Sequence, residues 1–114
     1  MSVTFREREN SGVHIIDVVG RITLGSGNQE LRERVNAALD AGKTKIILNL
    51  GEVSYLDSSG VGTLVGCFTS AQNRGATLKL INLTNKIRDL LAITKLLTVF
   101  DVYDSEEAAV NSFQ

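Results

Sequence analysis

The sequence contains no proline and no tryptophan, one histidine (His14) and one cysteine (Cys67). Without a second cysteine no internal disulfide can form, and nothing in the chain calls for an oxidising compartment. A zinc site would be short of its usual His and Cys ligands, and a Ser-His-Asp triad would have to be built around His14. Neither sign of charge dominates. Twelve Lys and Arg against 13 Asp and Glu leave a net charge of -1, without the basic excess that releases counterions from a phosphate backbone. Apolar runs stop far short of the roughly 20 residues that span a bilayer. Arg6, Glu7, Arg8 and Glu9 stand where a signal peptide would need an apolar stretch. These absences predict a cytoplasmic protein with no nucleic-acid contact and no direct membrane insertion. What is present suits a single core: 114 residues, 43% of them hydrophobic, with no linker, repeat or low-complexity tract, so one domain is expected over 1–114.

Val3 to Arg8 alternates apolar and polar residues, Asn10-Ser11-Gly12 supplies turn chemistry, and Val13 to Val19 resumes a β-rich run, which predicts an opening hairpin. The period then changes. Leu31, Val35, Ala38 and Leu39 recur at helical spacing after Gly25-Ser26-Gly27, with Ser26 and Gln29 at capping-box spacing and Gly42 placed to end the helix. Lys45 to Leu50 reads as a buried strand and Gly51 to Gly60 as a loop. A second helix follows on the stripe Val61, Leu64, Val65, Phe68 and Ala71, ended by Gly75. Thr77 to Leu83 returns to strand character, and Ile87, Leu90, Leu91 and Thr94 mark a third helix. A strand near Thr98 to Tyr103 precedes Asp104-Ser105-Glu106-Glu107, a capping-box start for a terminal helix holding Ala108, Ala109, Val110 and Phe113. The predicted class is α/β, with a mixed, mostly parallel sheet of about five strands and about four helices. In such sheets, sites gather where strands end and helices begin, which directs attention to 51–60.

Asp57-Ser58-Ser59-Gly60 opens the second helix, where free N–H groups and the positive dipole end favour an anion such as a phosphoryl group on serine. The same residues are also the best helix caps. The helix itself is unusual in carrying no charged residue from Ser59 to Asn73. Opposite its apolar stripe lie Ser59, Gly62, Thr63, Gly66, Ser70 and Asn73, a row that permits close backbone approach. Two coverings fit such a row: this domain's own third helix, or the surface of another protein. Catalytic motifs fail on context. Gly42-Lys43-Thr44 has Ala37 where a P-loop needs its first glycine, and Gly60-Val61-Gly62 has Val65 where a dinucleotide fingerprint needs its third. Ser58 or Ser59 acting as a nucleophile would need His14, Lys43 or Lys86 as its base. His14 and Cys67 suit structural roles.

The strand Ile46 to Leu50 followed by Val53-Ser54-Tyr55-Leu56-Asp57-Ser58-Ser59-Gly60-Val61-Gly62 resembles the signature of bacterial anti-sigma factor antagonists, the STAS domain. The resemblance spans nearly the whole chain in element order. It implies an interaction protein without catalytic power, with Ser58 as phosphoacceptor and a cognate anti-sigma factor as both serine kinase and binding partner. ATP would belong to that kinase, and the domain would need no cofactor of its own. In the implied cycle the unphosphorylated protein captures the anti-sigma factor and frees a sigma factor. Phosphorylation ends the capture, and a serine phosphatase resets it. Members often carry Gly-x-Leu-Asp after the second strand, where this chain reads Gly20-Arg21-Ile22-Thr23, so Thr23 takes the place of the acidic residue. The partner-binding surface expected from motif and resemblance together comprises Thr23, Asp57, Ser58, Ser59, Gly60, Gly62, Thr63 and Gly66. STAS domains also occur as scaffold subunits of stress-sensing complexes and as small subunits of membrane transport ATPases, which would assemble regardless of Ser58.

Overall fold

The alternation that begins at Val3 produces a hairpin. β1 (Val3–Asn10) turns through Ser11 and Gly12, both in the left-handed region, into β2 (Val13–Ile22). The computed structural model describes residues 3–113. After the hairpin come α1 (Ser26–Asp40), β3 (Lys45–Leu56), α2 (Ser58–Asn73), β4 (Thr77–Ile81), α3 (Asn85–Ile93), β5 (Asp101–Tyr103) and α4 (Glu106–Asn111). The strands form a five-stranded sheet in the order β1-β2-β3-β4-β5. β1 is antiparallel to β2, and every later neighbour is parallel, as strands joined through helices must be. The sheet class and element order match the sequence expectation.

α1, α2 and α3 lie on one face. Their stripes (Leu31 and Val35, Val61 and Leu64, Ile87 and Leu91) join Ile16, Val18, Ile46, Leu48, Leu50, Leu78 and Leu80 in the larger core. α4 lies on the other face, where Ala109 and Val110 meet Val13, Ile15, Ile47 and Ile81. The short α4 is held there by charge. Arg8 donates to buried Asp17 at 2.8 and 2.9 Å and to Glu106 at 2.7 and 3.0 Å, and Asn10 adds a bond to Glu106 at 2.8 Å. Lys79, buried in β4, donates to the Ser112 hydroxyl at 2.6 Å, with its ammonium 4.3 Å from the centre of the Phe113 ring. Among the described residues no helix is long and apolar enough to cross a membrane.

Several element ends and caps depart from expectation, among them β4, expected to Leu83 but ending at Ile81. β3 runs on to Leu56 instead of stopping at Leu50, so the loop expected over 51–60 shrinks to Asp57. The pairing with β4 ends at Asn49, and two register shifts against β2 break the period of two along the extension, which is why it looks irregular in sequence. The strand expected from Thr98 begins only at Asp101, because the amides of Leu96 and Leu97 both turn back onto the Leu91 carbonyl after Lys95 adopts φ 63°. The Ser26–Gln29 capping box does not form: Gly25 is the cap, at φ 100°, and makes no side-chain bond. At α4 the cap is Ser105, which accepts from Ala108 N, and not Asp104.

Candidate functional site

β2 and β3 end side by side, with Ile22 paired to Leu56, and both chains turn there into helices. Asp57 is the only residue between β3 and α2. Its backbone stays extended while Oδ1 accepts from Gly60 N at 2.8 Å and from the Ser59 hydroxyl, which caps the helix as the sequence suggests. Oδ2 accepts from Leu24 N at 3.4 Å, joining the two turns. The Ser59 hydroxyl and then the Gly60 amide hold the Asp57 carboxyl below the ordinary aspartate range, so it remains charged at neutral pH. Ser58, the first helical residue, is exposed, and the hydrogen bonds of this turn belong to its neighbours.

Close packing fixes the turn from beneath. A Cβ at Gly60 would lie 2.5 Å from Leu56 Cδ1 and 2.6 Å from the Ile22 carbonyl oxygen, and one at Gly27 would lie 2.7 Å from the Arg21 carbonyl oxygen. The starts of α1 and α2 are therefore pressed against the end of β2, and only glycine fits at either contact. From α1, buried Asn28 donates to Ser59 Oγ at 2.8 Å and Arg32 donates to Thr63 Oγ1 at 3.2 Å.

These bonds divide the expected partner surface. Ser58, Gly62 and Gly66 are exposed, with open space around both glycines. Ser59 and Asp57 are half-buried and hold the turn together. Gly60 and Thr63 are buried, so neither presents a side chain to a partner. Thr23 is half-buried in the β2–α1 turn, its carbonyl accepting from Asn28 N at 3.1 Å. It is α1, not α3, that packs beside the small-residue row of α2, from Asn28 and Arg32 at Ser59 and Thr63 to Asp40, which pairs with Arg74 at 2.8 Å, and it leaves Gly62 and Gly66 open. Sequence reasoning missed Leu24, which is 82% exposed beside Asp57. Its one signal was an apolar residue between Thr23 and Gly25 that belongs to no helical or strand period.

Of the groups considered as catalytic bases, His14 and Lys43 lie at the opposite strand ends and Lys86 lies near the turn. His14 pairs with Ile46 at the start of β3, on the order of 30 Å from the α2 turn at ~3.3 Å per residue, and its ring contacts Glu7 at 2.7 Å. Lys43 precedes the same strand end and binds Glu9 at 2.7 Å. Lys86 starts α3 near the turn, in a cleft with Tyr55 and Leu56. Cys67 is buried, and desolvation pushes its thiol up to about 12, so it stays protonated and inert.

A family model described as STAS domain matches residues 5–109. The chain belongs to the STAS domain family. Its relatives include the anti-sigma-B factor antagonist of Bacillus subtilis, 30% identical over 110 residues that cover 96% of this chain and 99% of the relative. An anti-sigma factor antagonist from Mycobacterium paratuberculosis has the same fold, with a TM-score of 0.85 at 18% identity over 96% of this chain and 92% of that one. The Bacillus protein SpoIIAA, solved in its phosphorylated form, superposes with a TM-score of 0.72 at 22% identity, over 97% of this chain and 100% of its own. In this STAS domain the signature residues Asp57 to Gly60 divide the work of the turn. Asp57, Ser59 and Gly60 build it, and Ser58 is left displayed.

Proposed function

We propose that this STAS domain is an anti-sigma factor antagonist that works by partner switching. Unphosphorylated, it binds a cognate anti-sigma factor through the exposed start of α2 and so releases a sigma factor. The anti-sigma factor is also the serine kinase. It transfers the γ-phosphoryl group of its own ATP to Ser58 Oγ, leaving ADP, while the hydroxyl proton passes to a base of the kinase. A phosphatase returns the group to water and restores binding. Relatives that carry the antagonist name over their full length support this assignment. The single observation that carries it is the position of Ser58: exposed, first in its helix, and free of the bonds that hold its neighbours.

Physical chemistry supplies the switch. A phosphoserine adds about -1.5 to -2 charge, which a helix N-terminus tolerates in water. Asp57, held ionised beside it, opposes that charge by repulsion. Burying the same group in an interface without a cationic partner would cost several kcal/mol, and about 2.8 kcal/mol already lowers affinity a hundredfold. The kinase recognises Ser58 next to Thr23, without a carboxylate at that position.

The test uses the purified anti-sigma factors of the source organism, each titrated by calorimetry against wild type, Ser58→Ala and Ser58→Asp. One of them should bind wild type and Ser58→Ala alike and Ser58→Asp at least a hundredfold more weakly. With ATP it should phosphorylate wild type but not Ser58→Ala. Equal binding of all three proteins would overturn switching and leave a scaffold role.

A further inference from the structure

Beside the Ser58 turn, the end of β3 and the start of α3 enclose a cleft of about 100 Å³, lined by Tyr55, Leu56, Thr84, Lys86, Ile87 and Leu90. Its floor is apolar, with Leu56 and Ile87 buried and Leu90 half-buried. An apolar cavity of about 150 Å³ takes a benzene molecule, so this cleft matches one branched aliphatic side chain. Its rim is aromatic and cationic. Tyr55 is 45% exposed, the Arg21 guanidinium lies 4.7 Å from the centre of its ring, and Lys86 stands on the facing wall. Tyrosine and arginine are over-represented among the residues that dominate protein interfaces.

Charge identifies the occupant. Arg6, Arg8, Arg34, Lys43, Arg74 and Arg88 all pair with carboxylates of this chain. Among the described residues Arg21, Arg32, Lys45, Lys79, Lys86 and Lys95 are in no ion pair, and two of these stand at the cleft: Lys86 in its lining, with Asp89 one turn along α3, and Arg21 over the Tyr55 ring. Two unpaired cations therefore flank an apolar slot. That slot is continuous with the proposed interface, because Leu56 lines it and Asp57 follows directly in sequence. Two cations on a chain of net charge -1 do not suit a nucleic acid, and the apolar floor suits a protein side chain.

We propose that this cleft is the second contact of the protein partner that docks at Ser58, and that it receives an acidic amphipathic segment of that partner. One apolar side chain fills the slot over Leu56, Ile87 and Leu90. Flanking carboxylates pair with Lys86 and Arg21. This deepens the partner-switching reading and rests on it: Ser58 supplies the switch, and the cleft supplies affinity and choice of partner.

The probe is the purified anti-sigma factor whose binding depends on Ser58. Lys86→Glu should weaken it at least tenfold, and Lys86→Glu with Arg21→Glu further still. Added salt should weaken the wild-type complex more steeply than that of the double variant. Glutamate at the second position of α3 suits the helix dipole, so lost binding by Lys86→Glu is not lost folding, and circular dichroism checks this directly. Changing the facing partner carboxylate to lysine should restore binding to Lys86→Glu alone. Lys45→Glu and Lys95→Glu, exposed and outside the cleft lining, should bind as wild type. If Lys86→Glu and the double variant stay within twofold of wild type while Ser58→Asp does not bind, the cleft proposal falls and switching stands. If Ser58→Asp binds as wild type, the switching reading falls and takes the cleft proposal with it.

Discussion

Gly60, Gly62 and Gly66 share one helix, yet a methyl group would collide with Leu56 and Ile22 at the first and meet nothing within 4 Å at the other two. Glycine inside a helix destabilises it by roughly 0.5–1 kcal/mol relative to alanine. Nothing in this chain requires that sacrifice at Gly62 and Gly66, whereas a partner backbone laid along the helix would. Gly62→Ala and Gly66→Ala should each stabilise the fold by about 0.5–1 kcal/mol and weaken the anti-sigma complex. Gly60→Ala should do the reverse to stability, costing about 1–3 kcal/mol through overpacking against β2. Urea unfolding followed by far-ultraviolet circular dichroism separates these cases, since the chain has no tryptophan to report. A stabilised Gly62→Ala variant with undiminished affinity would remove the docking role from that face.

At the scale of elements, α4 spans only six residues, too few for its own propensity to hold it. Its anchor is the chain Asp17–Arg8–Glu106. The Arg8 hydrogen bonds outweigh burial and hold the Asp17 carboxyl at about 2, below its ordinary value of 3.8. A carboxylate with a depressed value stabilises the fold above its unfolded titration and loses that contribution as pH falls. About 2 kcal/mol should therefore disappear between about pH 4 and pH 2, and Asp17→Asn should flatten that part of the curve. Arg8→Ala, which leaves Asp17 with Arg6 and Asn49 and Glu106 with Asn10, should cost about 1–2 kcal/mol in urea titrations at neutral pH. This network was invisible in the sequence because alternating charges in a first strand look like an ordinary wet face. The order of elements and the Asp57 cap were legible, since both depend on neighbours in sequence. The packing of Gly27 on Arg21, the bond from Asn28 to Ser59 and the choice of α1 over α3 as neighbour of α2 depend on which chain ends meet. No local period encodes that. Leu24 and the Arg21–Tyr55 stack were hidden for the same reason, although every residue of the turn itself stood in the motif.

For the whole molecule, both cores lie within the sheet and under the helices, while Ser58 sits on one turn at the edge of that mass. Charge added at Ser58 should change binding without refolding anything. Backbone amide spectra of Ser58→Asp should differ from wild type only near the α2 turn, the β2–α1 turn that bonds to it and the adjoining strand ends. Shifts throughout α2 and β4 would point instead to a conformational relay.

Val3 pairs with Gly20, so the antiparallel hairpin delivers the amino end of the described chain to the strand ends where Asp57 and Ser58 lie. Phe113, by contrast, stacks over Lys79 on the α4 side. The two ends therefore offer unequal handles. A surface or fluorophore attached ahead of Val3 would crowd the partner's approach, whereas attachment beyond Phe113 would leave that approach clear, so orientation on a sensor chip would itself alter the apparent on-rate.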